Sequence, residues 1–87
     1  MRKPIVGGNW KMNLDRAGGT QLASSVAGGL GRDAGRAEVV VFPPFTMLAE
    51  VAEAVAHAKV SVAVGGQDLW PAPSGAFTGE VSAGMLA

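Results

Sequence analysis

No cysteine occurs in the sequence, which excludes disulfide bridges and thiolate metal ligation and fits a reducing compartment. A single histidine leaves too few ligands for a zinc site, and no Ser-His-Asp arrangement can be drawn around it. Neither charge sign is in excess: seven Lys and Arg balance seven Asp and Glu, and they form no blocks. The usual electrostatic ground for binding nucleic acid or an anionic membrane is therefore missing. No apolar run approaches the ~18 residues of a membrane span. The basic start MRKPIVGGNW has an apolar run too short for a signal-peptide core. A soluble cytoplasmic chain is the default expectation. Phosphate-loop motifs are absent too, since Gly29-Leu30-Gly31 follows a helical segment and does not continue as GxGxxG, and no GxxxxGK[ST] exists.

What the chain has is apolar residues, 48% of the total, many of them Ala and Val, which argues against intrinsic disorder. Its 87 residues suffice for one small domain with a modest core. Three short runs read as buried strands: residues 4–6 with the glycines after them, 38–42 (EVVVF) and 60–64 (VSVAV). Their Val and Ile content suits parallel strands covered on both faces. Two helical segments lie between them. The first carries Leu22, Val26 and Leu30 at i, i+4, i+8, with an ill-defined start at Gly18 and Gly19 and an end marked by Gly28, Gly29 and Gly31. The second places Leu48, Val51, Ala52 and Val55 on one stripe and Glu50 and Glu53 opposite, with Thr46 as N-cap after Pro43 and Pro44. The order β-α-β-α-β implies right-handed parallel crossovers.

In such units chemistry gathers at the carboxyl ends of the strands. Asn9 and Lys11 lie there after the first strand, Pro43, Pro44 and Phe45 after the second, and Gly65, Gly66, Gln67 and Asp68 after the third. Lys11 reads either as a solvated turn lysine or as a cation aimed at a phosphate or a developing oxyanion. Asn9 reads either as a turn residue bonding its own backbone or as a neutral donor to a ligand. His57, at the end of the second helical segment, reads as a partner for that helix's last carbonyls. Asp15, Asp33, Glu38, Glu50 and Glu53 read as caps or solvated faces. The loop from Gly65 to about Gly79, GGQDLWPAPSGAFTG, shows neither helical nor strand periodicity, and Pro71 and Pro73 forbid a regular ladder. Loops of this length are uncommon in compact domains and are usually functional or disordered. Trp70 and Phe77 favour function, because large aromatics seek burial. A further helix then begins at EVSAGMLA, with Thr78 as its cap and Glu80 in its first turn.

Four segments together carry a resemblance: GGNWKMN at 7–13, FPPF at 42–45, GGQDLW at 65–70 and SGAFTGEVSAGML at 74–86. In this order and spacing the chain resembles the N-terminal portion of the triosephosphate isomerase family. The resemblance implies an α/β fold, the (β/α)8 barrel, of which residues 1–87 supply β1-α1-β2-α2-β3 and the start of the next helix within a single domain. It implies interconversion of dihydroxyacetone phosphate and glyceraldehyde 3-phosphate through an enediolate, without metal or cofactor. Lys11 would be the catalytic cation, and Asn9 and Lys11 would bind substrate. Trp10 would support the turn. Gly75, Ala76, Phe77, Thr78, Gly79 and Glu80 would form the loop that docks into the partner of a homodimer, Thr78 approaching the partner's Asn9 and Lys11. The family's catalytic histidine follows its fourth strand, and its catalytic glutamate, mobile lid and most of its phosphate-binding amides come later. His57 has the wrong neighbours to be that histidine, and no glutamate here matches the base. A barrel needs roughly 250 residues. The alternative is a catalytically inactive βαβαβ interaction module that keeps the docking loop.

Overall fold

A computed structural model describes residues 2–30, 33, 35–58 and 60–87. Strand β1 (Ile5–Asn9), helix α1 (Arg16–Leu30), strand β2 (Glu38–Phe42), helix α2 (Leu48–His57), strand β3 (Val62–Val64) and a short helix α3 (Ala83–Leu86) follow one another along the chain. The three strands form one parallel sheet in the order β1-β2-β3. The expected β-α-β-α-β order is thus the observed one.

Register decides what each face of the sheet carries. Val6 pairs with Val39 and Val39 with Val62; Gly8 pairs with Val41 and Val41 with Val64. Side chains alternate along a strand, so these rows share one face. Val41 joins Ala23, Met47, Val51 and Val55 in the core, with Val62 and Val64 packed against it, so this face is the one the helices cover. The other face presents Ile5, Gly7, Asn9, Val40, Phe42 and Ala63. Ile5 there is 68% exposed. Glycines flank the Phe42 ring on this open face for reasons of space. A Cβ on Gly7 would touch Phe42 Cε2 at 3.4 Å, and one on Gly65 would lie 2.8 Å from Phe42 Cε1. The ring occupies the volume that its neighbours leave free.

Strand β3 begins two residues later than the VSVAV run. The Val62 N–H donates to the Val60 carbonyl at 3.0 Å, a three-residue turn that removes Val60 from the ladder. In α1 the buried residues are Gly19, Ala23 and Ala27, not the expected line of Leu22, Val26 and Leu30. Leu22 is 38% exposed, and Val26 and Leu30 are half-buried. The small residues let the helix approach closely: Met47 lies so near Gly19 that an added Cβ would collide with its sulfur. The start of α1 is well defined after all, because Asp15 Oδ1 accepts from the Gly18 N–H at 2.8 Å as an N-cap. The helix then runs through Gly28 and Gly29 to Leu30. Gly31, expected to help mark its end, lies outside the described residues.

The N-terminus of α2 also differs from expectation. Pro44 opens a 3₁₀ turn, Phe45–Met47, that consumes Thr46 and drops Met47 into the core. Met47 then takes the N-cap position with no side-chain cap bond. Val51 and Val55 are buried, but Ala52 is exposed and Leu48 only half-buried. Leu48, Ala49 and Ala52 line an open cleft of about 540 Å³ shared with Val64, Met85 and Leu86. Glu50 turns toward α1, its Oε1 lying 3.6 Å from Arg16 Nη1, while Glu53 stays exposed. His57 is exposed and sits 3.6 Å from Glu53 one turn back, rather than bonding the last carbonyls of the helix. Helix α3 is capped by Ser82, whose Oγ accepts from the Met85 N–H at 3.3 Å, so neither Thr78 nor Glu80 belongs to it. Ser82 also forms an isolated parallel bridge with Trp70, immediately before the helix begins.

The sheet is therefore covered on one face only, and the strand edges at β1 and β3 are unpaired among the described residues. A fully buried Val or Ile contributes about 1.5–3 kcal/mol, so leaving an apolar face wet removes much of the roughly 5–15 kcal/mol that stabilises a small domain. Residues 1–87 alone are expected to self-associate or fold poorly, and to be inactive. Sedimentation, circular dichroism and a thermal melt on the purified chain check this. A sharp cooperative melt from a monomer would instead identify a stand-alone βαβαβ module.

Candidate active site

Strand β1 ends at Asn9, beside Phe42 at the end of β2. The next three residues part in direction. Trp10 packs its indole against the core, close to Gly19, and its backbone N–H donates to the Phe42 carbonyl at 3.1 Å. Lys11 and Met12 are exposed, Met12 at 95%. The tryptophan anchors the segment while the lysine remains at the surface.

Lys11 has φ +56°, in the left-handed region. Holding an L-residue there costs about 1–2 kcal/mol, so local bonds must keep it in place. Asn9 Oδ1 accepts from the Lys11 N–H at 2.9 Å, an Asx turn. Asn13 Nδ2 donates to the Trp10 carbonyl at 2.8 Å, and Leu14 follows with φ +74°. From the loop that follows β3, Gln67 Nε2 donates to the Lys11 carbonyl at 2.9 Å and to the Phe42 carbonyl at 2.8 Å. Each such bond contributes about 0.5–1.5 kcal/mol net, enough together to offset the strain.

The structure thus brings Asn9 and Lys11 together with Gln67, a residue that position alone placed at the end of β3. Its role is not visible in the local sequence, because nothing there shows which backbone a glutamine 56 positions away will reach. The signal is topological, since parallel neighbours end side by side. Segment 75–80 is organised separately. Phe77 folds back on Trp70, ring centroids 5.0 Å apart, and also covers Gly75, whose φ of +141° no residue with a Cβ would readily adopt. The Glu80 N–H donates to the Phe77 carbonyl at 3.0 Å, and Gly79 has φ +87°. Residues 73–80 are all exposed, Phe77 at 42%. No hydrogen bond joins them to Asn9 or Lys11 among the described residues. Among those residues no three His, Asp or Glu side chains cluster as a metal site requires, and no helix is long and apolar enough to cross a membrane.

A family model described as triosephosphate isomerase matches residues 4–87. The chain belongs to the triosephosphate isomerase family. It is 47% identical to the triosephosphate isomerase of Leifsonia xyli subsp. xyli, the match covering 99% of this chain and 34% of that protein. The triosephosphate isomerase of Chloroflexus aurantiacus is 46% identical over 99% of the chain and 33% of its own length. That of Cutibacterium acnes is 44% identical over 98% and 34%. The chain spans about a third of the length of the curated relatives it matches. The parallel sheet and its covering helices agree with the first βαβαβ part of that family's barrel.

Proposed function

We propose that these residues are one part of a single (β/α)8-barrel domain and supply the Asn–Lys portion of a triosephosphate isomerase site. The observation that carries this is Lys11, an exposed cation held in a left-handed conformation at the carboxyl end of β1. A charge fixed before substrate arrives need not reorganise when negative charge develops, and fixed charges of this kind are among the strongest contributors to catalysis. The substrate would be a phosphorylated triose. Lys11 would attract its phosphate and stabilise the enediolate oxygen formed as a proton leaves the carbon beside the carbonyl. Asn9, its side-chain oxygen engaged on the Lys11 N–H, keeps its amide hydrogens free to donate to substrate. The groups that move protons come from beyond these residues, and no cofactor enters the scheme. A cytoplasmic homodimer completes the reading, with Gly75, Ala76, Phe77, Thr78, Gly79 and Glu80 as the segment that enters the partner. Exposed aromatic surface at Trp70 and Phe77 supports that docking role.

Both roles can be tested in a complete barrel, made by joining this chain to the C-terminal two-thirds of the Leifsonia xyli relative. Lys11→Ala should lower kcat/KM by about 10²–10³-fold, with the circular dichroism spectrum unchanged. Kinetics within a few-fold of the parent would remove Lys11 from the site. Deleting residues 73–78 should convert dimers to poorly active monomers. An intact dimer in sedimentation would refute partner docking.

A further inference from the structure

The geometry points to Gln67 as a positioning residue that acts on substrate only through Lys11, holding the lysine's backbone in its left-handed conformation. The inference rests on the isomerase reading above for its kinetic consequence, but not for its structural one. Gln67 has one side-chain nitrogen with two hydrogens, and both are engaged: one on the Lys11 carbonyl at 2.9 Å, the other on the Phe42 carbonyl at 2.8 Å. Carbonyl oxygens only accept, so the amide nitrogen and not its oxygen must face them. The Phe42 carbonyl is itself fixed, because it closes the β1–β2 ladder by accepting from the Trp10 N–H at 3.1 Å. Gln67 therefore ties the lysine's carbonyl to the rigid end of a central strand. Asn9 holds the same residue from the other side, at its N–H. With donor and acceptor both clamped, the peptide planes on either side of the Lys11 Cα are fixed, and so is its φ of +56°. No other described side chain reaches the Lys11 carbonyl.

Gln67→Met keeps the length and volume of the side chain and removes both donors. In the joined barrel it should lower kcat/KM about 10–100-fold, as displacement of a catalytic group by ~1 Å does, with unchanged dimerisation. The double variant with Lys11→Ala separates positioning from general support of the fold. If Gln67 acts through Lys11, Gln67→Met adds less than about two-fold to the loss already caused by Lys11→Ala, because contacting residues with one shared role are not additive. Full additivity would overturn the proposal, as would parent-like kinetics in Gln67→Met alone. A crystal structure of Gln67→Met gives a readout independent of activity. Lys11 should leave the left-handed region, and retention of its positive φ would overturn the proposal even if the joined barrel proves inactive. An inactive parent barrel with a relaxed Lys11 in the variant would count against the isomerase reading and for the clamp.

Discussion

The carbonyl oxygen of Phe42 is the point on which this end of the molecule depends. It accepts from the Trp10 backbone and from the Gln67 side chain, so the segments leaving all three strands meet at one atom. The ring of the same residue lies on the open face across Gly7 and Gly65. Phe42 thus sets both the register of β1 against β2 and the spacing of the loops that follow. A shift of one residue in that register would turn Val41 away from the helices and bring Val40 and the ring of Phe42 toward them. It would also move Trp10 off its carbonyl and carry Lys11 away from Gln67. The glycine-rich end of β1 is intelligible on the same ground: a side chain at Gly7 would press on the ring that occupies the space beside it.

Much of this could be read from the sequence wherever one physical cause dominated. EVVVF is strand from Glu38 to Phe42 because its β-branched residues suit a central parallel strand, and Val41 is the one that the helices bury. Prediction failed where two causes competed. In α1 the larger side chains suggested a Leu22–Val26–Leu30 face, but the buried residues are the smallest, Gly19, Ala23 and Ala27, and at Gly19 the approach of Met47 leaves no room for a Cβ. Hydrophobicity ranks leucine above glycine, and only the neighbouring helix shows that room is scarce. Thr46 and Thr78 had suitable chemistry for caps, but the chain had already turned at Pro44, and at the far end the helix did not begin until after Ser82. Capping depends on where the backbone becomes helical, and proline φ and strand pairing fixed that before the threonines could.

Asn9 and Lys11 stood out because strand ends are where side chains escape the sheet, and the family motif named the same two residues. Their geometry was not legible. Nothing in NWKMN shows that the lysine is left-handed, since the bond that holds its carbonyl comes from Gln67, on a loop that topology alone brings near. Asx-turn chemistry within three residues can be guessed from the sequence. A clamp spanning 56 positions requires knowing that β1 and β3 flank β2 in parallel.

The juxtaposition of Trp10 and Lys11 follows from the same division of labour. A lysine side chain has four rotatable bonds and in a free turn would sample many positions, offering a developing anion little more than the surrounding solvent does. Anchoring the indole in the core fixes the residue before it. Bonding the Lys11 N–H and carbonyl from Asn9 and Gln67 then fixes its two flanking peptides. The left-handed conformation that results costs about 1–2 kcal/mol, and an unstrained alternative would be available to a turn with no other duty. Strain held by separate bonds, on an exposed residue outside the core, suits the role proposed for Lys11, in which the direction its side chain takes from the backbone would matter. On the proposed reading, the tryptophan and the lysine are adjacent because the one would supply the rigidity that makes the other's charge directional.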